Sequence, residues 1–379
     1  MNIATIRYRI AALLAALALA GPLHAQWSLV ASDAAVKIDG LPVLRGEVFA
    51  DGGDRTQLLP ATEILSTGAI QDTAVAGLAA DRLSGEHVFL AVTTPTGDGS
   101  LPGDVLRCAV DGSGCTSAFS ATGLGIPDGV GVSAVGVEVE AGDQRLLLSF
   151  DTSFELDGQV YRPGDVARID QGGLTIALSH TDLGVAPHLS VAGVSRRPDG
   201  SWQAAFEHGA EIDGTAFFSS DVLGFASAGT LTGFETRLRS VDLSWQQAGV
   251  AGWDALDTGR SGFVGLGPAI NPGDDQVVLE VDRADGSEAR IALDYQTVDG
   301  TASAGTDYQA ASGTLVWAHG ETGSRQIVID LIDAGSAPAE RAFTVELAPA
   351  SPWALTGSRQ ALTLEISDQD ALFRDSFES

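Results

Sequence analysis

The chain is short of positive charge. Lys37 is its single lysine, and 21 Lys and Arg face 50 Asp and Glu for a net charge of −29. A surface this acidic repels nucleic acid and anionic membranes, so neither is expected as a direct partner, while divalent cations are attracted to it. Long apolar runs are equally scarce. The one that stands out, Ile10 to Ala20, follows Arg7 and Arg9 and leads to Leu23-His-Ala25, which is the layout of a secretory leader cleaved near Ala25. The run is too short to span a bilayer and no later segment reaches about 18 apolar residues. Export without membrane insertion is the expectation, to the periplasm, the medium or the cell surface.

Cysteine is nearly missing as well. Cys108 and Cys115 flank Ala-Val-Asp-Gly-Ser-Gly, where a tight turn at Asp111 to Gly114 joins two strands. In an exported chain a disulfide across that hairpin is expected ahead of zinc or a reactive thiol. The histidines that follow the leader are His87, His180, His188, His208 and His319, and no two of them stand at metal-ligand spacing. The chain has no Gly-x-Ser-x-Gly elbow, His-Glu-x-x-His, phosphate loop or dinucleotide fingerprint. Trp202, Trp245, Trp253, Trp317 and Trp353 are too dispersed for a sugar-stacking platform, and Trp317 and Trp353 are expected to pack inside the C-terminal region.

What the chain does have is repetition. Lys37-Ile-Asp-Gly40, Glu155-Leu-Asp-Gly158 and Glu211-Ile-Asp-Gly214 are each followed, eight residues after the Asp, by an acid and Val: Glu47-Val48, Asp165-Val166 and Asp221-Val222. Asp98-Gly99 with Asp104-Val105 is a fourth copy, two residues shorter, and the acid-Val steps are 57, 61 and 56 residues apart. Each unit offers an incoming apolar run, a second run, the Asp-Gly loop, a third run from the acid-Val pair and a fourth run. Four short strands per unit is the layout of a propeller blade.

The first copy begins at its second strand, Trp27 to Val30, and Val241 to Trp245 is the expected incoming strand that closes it, which removes exposed sheet edges. Residues 26–255 therefore read as a four-unit propeller-like domain, followed by a Gly- and Ala-rich linker from Gly249 to Gly262. An open stack or two sandwiches built from the same strands is the alternative. The loops put Asp39, Asp98, Asp157 and Asp213 at equivalent positions, either as a ligand or cation face or as turn residues with Gly at φ > 0. Glu47, Asp104, Asp165 and Asp221 either join such a face or simply begin strands.

Beyond the linker the period drops to two. Val277, Leu279 and Val281, then Ile291, Leu293 and Tyr295, then Ile327, Ile329 and Leu331, then Phe343, Val345 and Leu347, then Leu362, Leu364 and Ile366 alternate in five runs. That pattern predicts an antiparallel sandwich. Between the runs stand Asp299-Gly-Thr-Ala-Ser-Ala-Gly-Thr-Asp-Tyr308, Ser312-Gly-Thr-Leu-Val-Trp317 with His319-Gly-Glu-Thr322, Phe343-Thr-Val-Glu-Leu347 and Glu365-Ile-Ser-Asp-Gln-Asp370. Together these motifs resemble the Calx-β domain, an immunoglobulin-like family whose members bind calcium and serve in cell-surface interaction.

Carried over position by position, the resemblance implicates Asp299, Asp333, Asp368 and Asp370 as Ca²⁺ ligands at one end of the sandwich. Carboxylates from distant loops supply the charge and the oxygen count that a hard cation takes. The chain departs from the pattern where the early acid falls near Ile270 and Asn271 and where the usual acidic loop reads Ala334-Gly-Ser-Ala-Pro-Ala-Glu340; Asp274, Asp275 or Glu340 are the available substitutes.

The whole is read as all-β: a leader (1–25), the four-unit β-propeller-like repeat domain, an immunoglobulin-like Calx-β sandwich with its linker (256–370) and a tail (371–379). The tail, Ala371-Leu-Phe-Arg-Asp-Ser-Phe-Glu-Ser379, resembles short tails of secreted proteobacterial proteins. The expected function is non-enzymatic binding or adhesion at a cell surface, with calcium ions and a protein or surface ligand as partners. The alternatives are a hydrolase or lyase with its site in the propeller channel, and a structural spacer that has lost calcium.

Overall fold

The computed structural model describes residues 27–32, 36–38, 41–43, 48–51, 75–92, 102–111, 113–170, 173–219, 221–237, 253–259, 263–273, 276–284, 286–332, 341–351, 353–356 and 360–366. Two compact units divide these, one within Gln26–Arg260 and one within Ser261–Ser379.

The first unit opens with β1 (Trp27–Ser32), β2 (Val36–Ile38), β3 (Leu41–Val43), β4 (Val48–Asp51), β5 (Val75–Ala80), β6 (His87–Val92), β7 (Val105–Ala109) and β8 (Cys115–Phe119). It continues through β9 (Val132–Glu140), β10 (Asp143–Phe150), β11 (Phe154–Leu156), β12 (Gln159–Tyr161), β13 (Val166–Asp170) and β14 (Gly173–Leu178). Then come β15 (Val191–Arg196), β16 (Trp202–Phe206), β17 (Ala210–Ile212), β18 (Thr215–Phe217), β19 (Asp221–Phe225), β20 (Leu231–Arg237) and β21 (Trp253–Gly259). Three four-stranded antiparallel sheets have the orders β5-β6-β7-β8, β9-β10-β13-β14 and β15-β16-β19-β20, and a fourth has the order β21-β1-β4. Hairpins β2-β3, β11-β12 and β17-β18 project between the second and third strands of three of the sheets. The predicted runs that lie within the described residues form strands, in the predicted order.

The first strands of the four sheets face one another in a closed cycle, β5 against β9, β9 against β15, β15 against β21 and β21 against β5. This is a propeller-like arrangement. The closing strand is β21, which pairs antiparallel with β1 from Trp27↔Gly259 to Ser32↔Trp253. The expected closing segment, Val241 to Trp245, lies outside the described residues, and Trp253–Gly259, expected within the linker, is strand.

A signal for the correct strand exists in the sequence. Ala76-Gly77, Val135-Gly136 and Ala192-Gly193 lie in the first strands of three sheets, and Ala251-Gly252 stands immediately before β21. At Gly77 and Gly136 glycine is needed because the central strands approach backbone to backbone. A Cβ on Gly77 stands 2.7 Å from the backbone nitrogen of Val135, and one on Gly136 falls on the carbonyl oxygen of Val194. Two apolar cores follow, one with Phe89, Val135, Leu148 and Phe150, the other with Leu147, Val191, Trp202 and Phe206.

The second unit contains β22 (Phe263–Gly273), β23 (Gln276–Ala284), β24 (Ile291–Asp299), β25 (Ser312–Trp317), β26 (Gly323–Asp330), β27 (Arg341–Pro349), β28 (Leu355–Thr356) and β29 (Ala361–Ile366). Two four-stranded sheets, β26-β23-β22-β28 and β25-β24-β27-β29, make the sandwich. All pairs are antiparallel except β22 with β28. Val277, Leu279, Val281, Ile291, Leu293, Ile327, Ile329, Phe343, Val345 and Leu364 are buried as the alternation predicts. Tyr295 is only half-buried. Trp317 and Trp353 lie fully inside, and Trp317 donates its indole N–H to the Gly323 carbonyl at 2.8 Å. No helix among the described residues is long and apolar enough to cross a membrane.

Candidate metal centre

Asp299 ends β24 opposite Phe343 of β27. Its side chain is exposed, and its Oδ1 accepts the Ala304 N–H at 2.9 Å and the Tyr308 hydroxyl at 2.6 Å. The Tyr308 hydroxyl and then the Ala304 amide hold the Asp299 carboxyl below the usual carboxylate range. Tyr308 is fully buried and stacks on Phe343 with ring centroids 4.0 Å apart. Burial, and then the neighbouring Asp299 carboxylate, push its phenol up to about 12.

The loop that Asp299 begins is tied to two neighbouring strands. Ala302 donates its N–H to the Ala342 carbonyl at 2.8 Å, and the Ala342 N–H donates to the Thr301 hydroxyl at 2.8 Å. On the other side the Ile332 N–H donates to the Asp307 carbonyl at 3.0 Å and the Gln309 N–H to the Asp330 carbonyl at 2.8 Å. Asp307 is itself buried: its Oδ2 accepts the Ser303 N–H at 2.7 Å, and its Oδ1 is ion-paired with Arg341. Arg341 begins β27 opposite Ile366, the last residue of β29.

The register therefore gathers the end of β24, the end of β26, the start of β27 and the end of β29 at one end of the sandwich. Of the four acids implicated, Asp299 alone is described. Asp333, Asp368 and Asp370 lie outside the described residues, as do Asp274, Asp275 and Glu340, and Asp333 follows directly on the last described residue after β26. Among the described residues no three His, Cys, Asp or Glu side chains come together as a metal cluster. The donor chemistry at Asp299 fits a hard cation, being an ionised, exposed carboxylate oxygen donor. Asp307, inside the motif Asp299 to Tyr308, and Arg341 complete this corner; neither was carried over as a ligand, and their pairing joins residues that no local pattern links.

The repeat acids are engaged in local structure. Asp157 and Asp213 take φ of 52° and 49° with Gly158 and Gly214 at 79° and 78°, making two-residue turns of β11-β12 and β17-β18. Asp39 and Asp98 lie outside the described residues, as does Glu47. Asp104 accepts the Ala121 N–H at 3.0 Å, and Asp165 accepts the Arg162 N–H at 3.0 Å, the His180 N–H at 2.8 Å and the His180 ring Nδ1 at 2.7 Å. Asp221 accepts the Phe218 N–H at 2.9 Å. These acids hold the loops that enter the third strands and the crossings to the next sheet, beyond merely starting strands. Cys108 and Cys115 form a disulfide across the β7-β8 hairpin, at the directly paired position.

In the centre of the repeat unit Arg82 is fully buried and donates to the Ser195 hydroxyl at 2.6 Å, from the sheet of β5 to that of β15. Buried Glu138 is ion-paired with Arg168 and with Arg196, the latter at 2.6 Å.

No curated protein matches the chain. Among solved structures, the apo-form Calx CBD1 domain is 28% identical, with 25% of this chain and 84% of that one covered and a TM-score of 0.24. The calcium binding domain CBD12 of CALX1.1 is also 28% identical, over 25% of this chain and 39% of that one, with a TM-score of 0.24. A protein of unknown function from Bacteroides caccae is 11% identical over 69% of this chain and 66% of that one, with a TM-score of 0.23. The model of the Calx-beta domain matches residues 256–370, less than a third of the chain, and it is this C-terminal segment that the family identifies.

Proposed function

We propose that the chain is an exported, non-enzymatic binding protein. In this reading the Calx-β sandwich carries a calcium site at the end where Asp299 stands, and the repeat domain displays its loops to a protein or surface ligand. The observation that carries it is the register, which brings Asp299 together with the strand ends that lead into Asp333 and Asp368, inside the segment matching the Calx-beta model. A bound Ca²⁺ supplies the charge that lets carboxylates from separate loops converge.

The non-enzymatic part draws support from the centre of the repeat unit. There the central strands approach backbone to backbone at Gly77 and Gly136, and the fully buried Arg82 donates to Ser195 of the sheet of β15. The acidic composition and the leader-like N-terminus support export.

The test is calorimetric titration and thermal unfolding of the full mature chain, first in chelator and then in about 10 mM Ca²⁺, with Mg²⁺ as control. A site in the range of extracellular modules, with Kd of about 10⁻⁴ to 10⁻³ M, stabilises by about 1.4–2.7 kcal/mol at that concentration. Asp368→Asn is expected to remove the shift. Identical melting in chelator, Mg²⁺ and Ca²⁺ removes calcium from the reading.

A further inference from the structure

The three four-stranded sheets of the repeat unit match rung by rung where their third and fourth strands pair. Counted from the acid at the head of each third strand, Cys108, Ile169 and Phe225 stand at the same step, four residues beyond Asp104, Asp165 and Asp221. Their partners are Cys115, Leu174 and Leu231. Two residues earlier on the third strands, Leu106 faces Ser117, Ala167 faces Ile176 and Leu223 faces Phe234. The disulfide therefore occupies the rung that apolar pairs fill in the other two sheets.

The outermost strands differ in what holds them. Leu174 and Ile176 of β14 pack against the first apolar core, and Leu231 and Phe234 of β20 against the second. In β8, Thr116, Ser117 and Ala118 are exposed, Cys115 is half-buried and Phe119 is the side chain that is buried. Little apolar contact binds β8 to its sheet, and an edge strand with few such contacts opens easily. The covalent bond sits on the strand that needs it most. Cys108 is fully buried, so an outside thiol meets the bond from the side of Cys115.

We infer that the Cys108–Cys115 disulfide is a thiol-operated clasp: it holds β8 on the sheet β5-β6-β7-β8, and its reduction by an outside dithiol frees β8 while the rest of the ring stays folded. A thiolate of the dithiol attacks the Cys115 sulfur and forms a mixed disulfide, while the Cys108 sulfur leaves as a thiolate and takes a proton from water. The second thiol of the reductant then expels the Cys115 thiolate, which is protonated in turn, and the reductant departs as a cyclic disulfide. Two electrons pass from the dithiol to the protein. Release of β8 leaves β7 with an unpaired strand edge.

The experiment is hydrogen exchange of the full mature chain, read by mass spectrometry before and after dithiothreitol under native conditions, beside two variants. One is Cys108→Ser with Cys115→Ser. The other gives the first sheet the residues of the second, Cys108→Ile with Cys115→Leu and Ser117→Ile. Reduction is expected to lower the protection of β8 at least about tenfold more than that of β6 and β10. The serine pair is expected to match the reduced wild type without dithiothreitol. The triple replacement is expected to hold β8 as the intact disulfide does, and dithiothreitol then changes nothing. Protection that falls in β8 only in step with β6 and β10 shows a bond acting on the whole unit and overturns the inference, as does a bond that dithiothreitol reduces only after unfolding. A triple replacement that leaves β8 as open as in the reduced wild type also overturns it, because missing apolar contact is then not what the clasp replaces. If the serine pair does not fold, the wild type reduced after folding carries the test.

Discussion

The dipeptide Asp-Gly does different work in the two units. In the repeat unit Asp157-Gly158 and Asp213-Gly214 both adopt positive φ, and a Cβ on either glycine meets nothing within 4 Å. Those glycines are there for backbone conformation. In the sandwich a Cβ on Gly300 falls on the Ala342 carbonyl oxygen, so this glycine is there for close approach. The aspartates differ in step. Asp157 and Asp213 turn a hairpin, whereas Asp299 keeps an ordinary backbone and uses its carboxylate to anchor a ten-residue loop through Ala304 and Tyr308. A motif that reads identically in sequence separates into turn chemistry and loop anchoring once its neighbours are known.

The sharpest way to break this comparison lies in a third kind of glycine. Gly136→Val drives a branched side chain into the Val194 backbone at the centre of the repeat unit, and a loss of about 3 kcal/mol or more is expected in denaturant unfolding. A loss under about 1 kcal/mol means the central strands are not packed backbone to backbone. Next in size is the hairpin disulfide. Cys108→Ser with Cys115→Ser is expected to lower the stability of the repeat unit by about 2 kcal/mol, the low end for so short a loop, as read by melting under identical non-reducing conditions.

Gly300→Ala and Gly158→Ala form the direct test of the two Asp-Gly settings. Gly300→Ala is expected to lose about 2 kcal/mol because the backbone must shift, and Gly158→Ala about 1 kcal/mol from the left-handed conformation alone. Replacing each glycine by Asn separates them further. Asn tolerates positive φ, so Gly158→Asn is expected to recover most of the loss, while Gly300→Asn recovers none. Equal recovery at both positions contradicts the assignment.

Last is Tyr308→Phe, which removes one hydrogen bond to a carboxylate that solvent reaches. Its pH dependence is more telling than its size. The Asp299 carboxyl is depressed in the folded chain, so its contribution is present above the unfolded value near 4 and is lost as pH falls through the lower folded value. Tyr308 is raised to about 12, so its contribution is complete below the unfolded value near 10 and is lost as pH rises through 12. Tyr308→Phe is therefore expected to abolish the alkaline loss between about pH 10 and 12 and to move the Asp299 titration, followed by carboxyl NMR, back toward the usual range. An unmoved Asp299 titration shows that Ala304 alone sets it.

Much of the fold was legible because its signals are local. The alternation of Val277, Leu279 and Val281 follows from side chains pointing to opposite faces of a strand, and the Asp-Gly hairpins follow from φ > 0 in a two-residue turn. The strand that closes the ring was misplaced because Val241 to Trp245 is the more apolar candidate, while the decisive mark was Ala251-Gly252 in step with Gly77, Gly136 and Gly193. That mark has meaning only when central strands touch.

The candidate site divides in the same way. Asp299 was legible, since it opens a motif of fixed order. Asp307 and Arg341 were not, because they are 34 residues apart and their pairing depends on how the loop of Asp299 to Tyr308 folds back over β27.

By itself the sequence determined an acidic, all-β chain with repeated units of about 57 residues and a C-terminal sandwich of alternating strands, because composition and residue period act over a few neighbours. Tertiary structure alone decided that β21 meets β1, that Arg82 crosses the centre to Ser195, and that Arg341 rather than a further acid stands beside Asp307. These contacts join residues tens to hundreds of positions apart. Their energies depend on burial and distance, which no local pattern encodes.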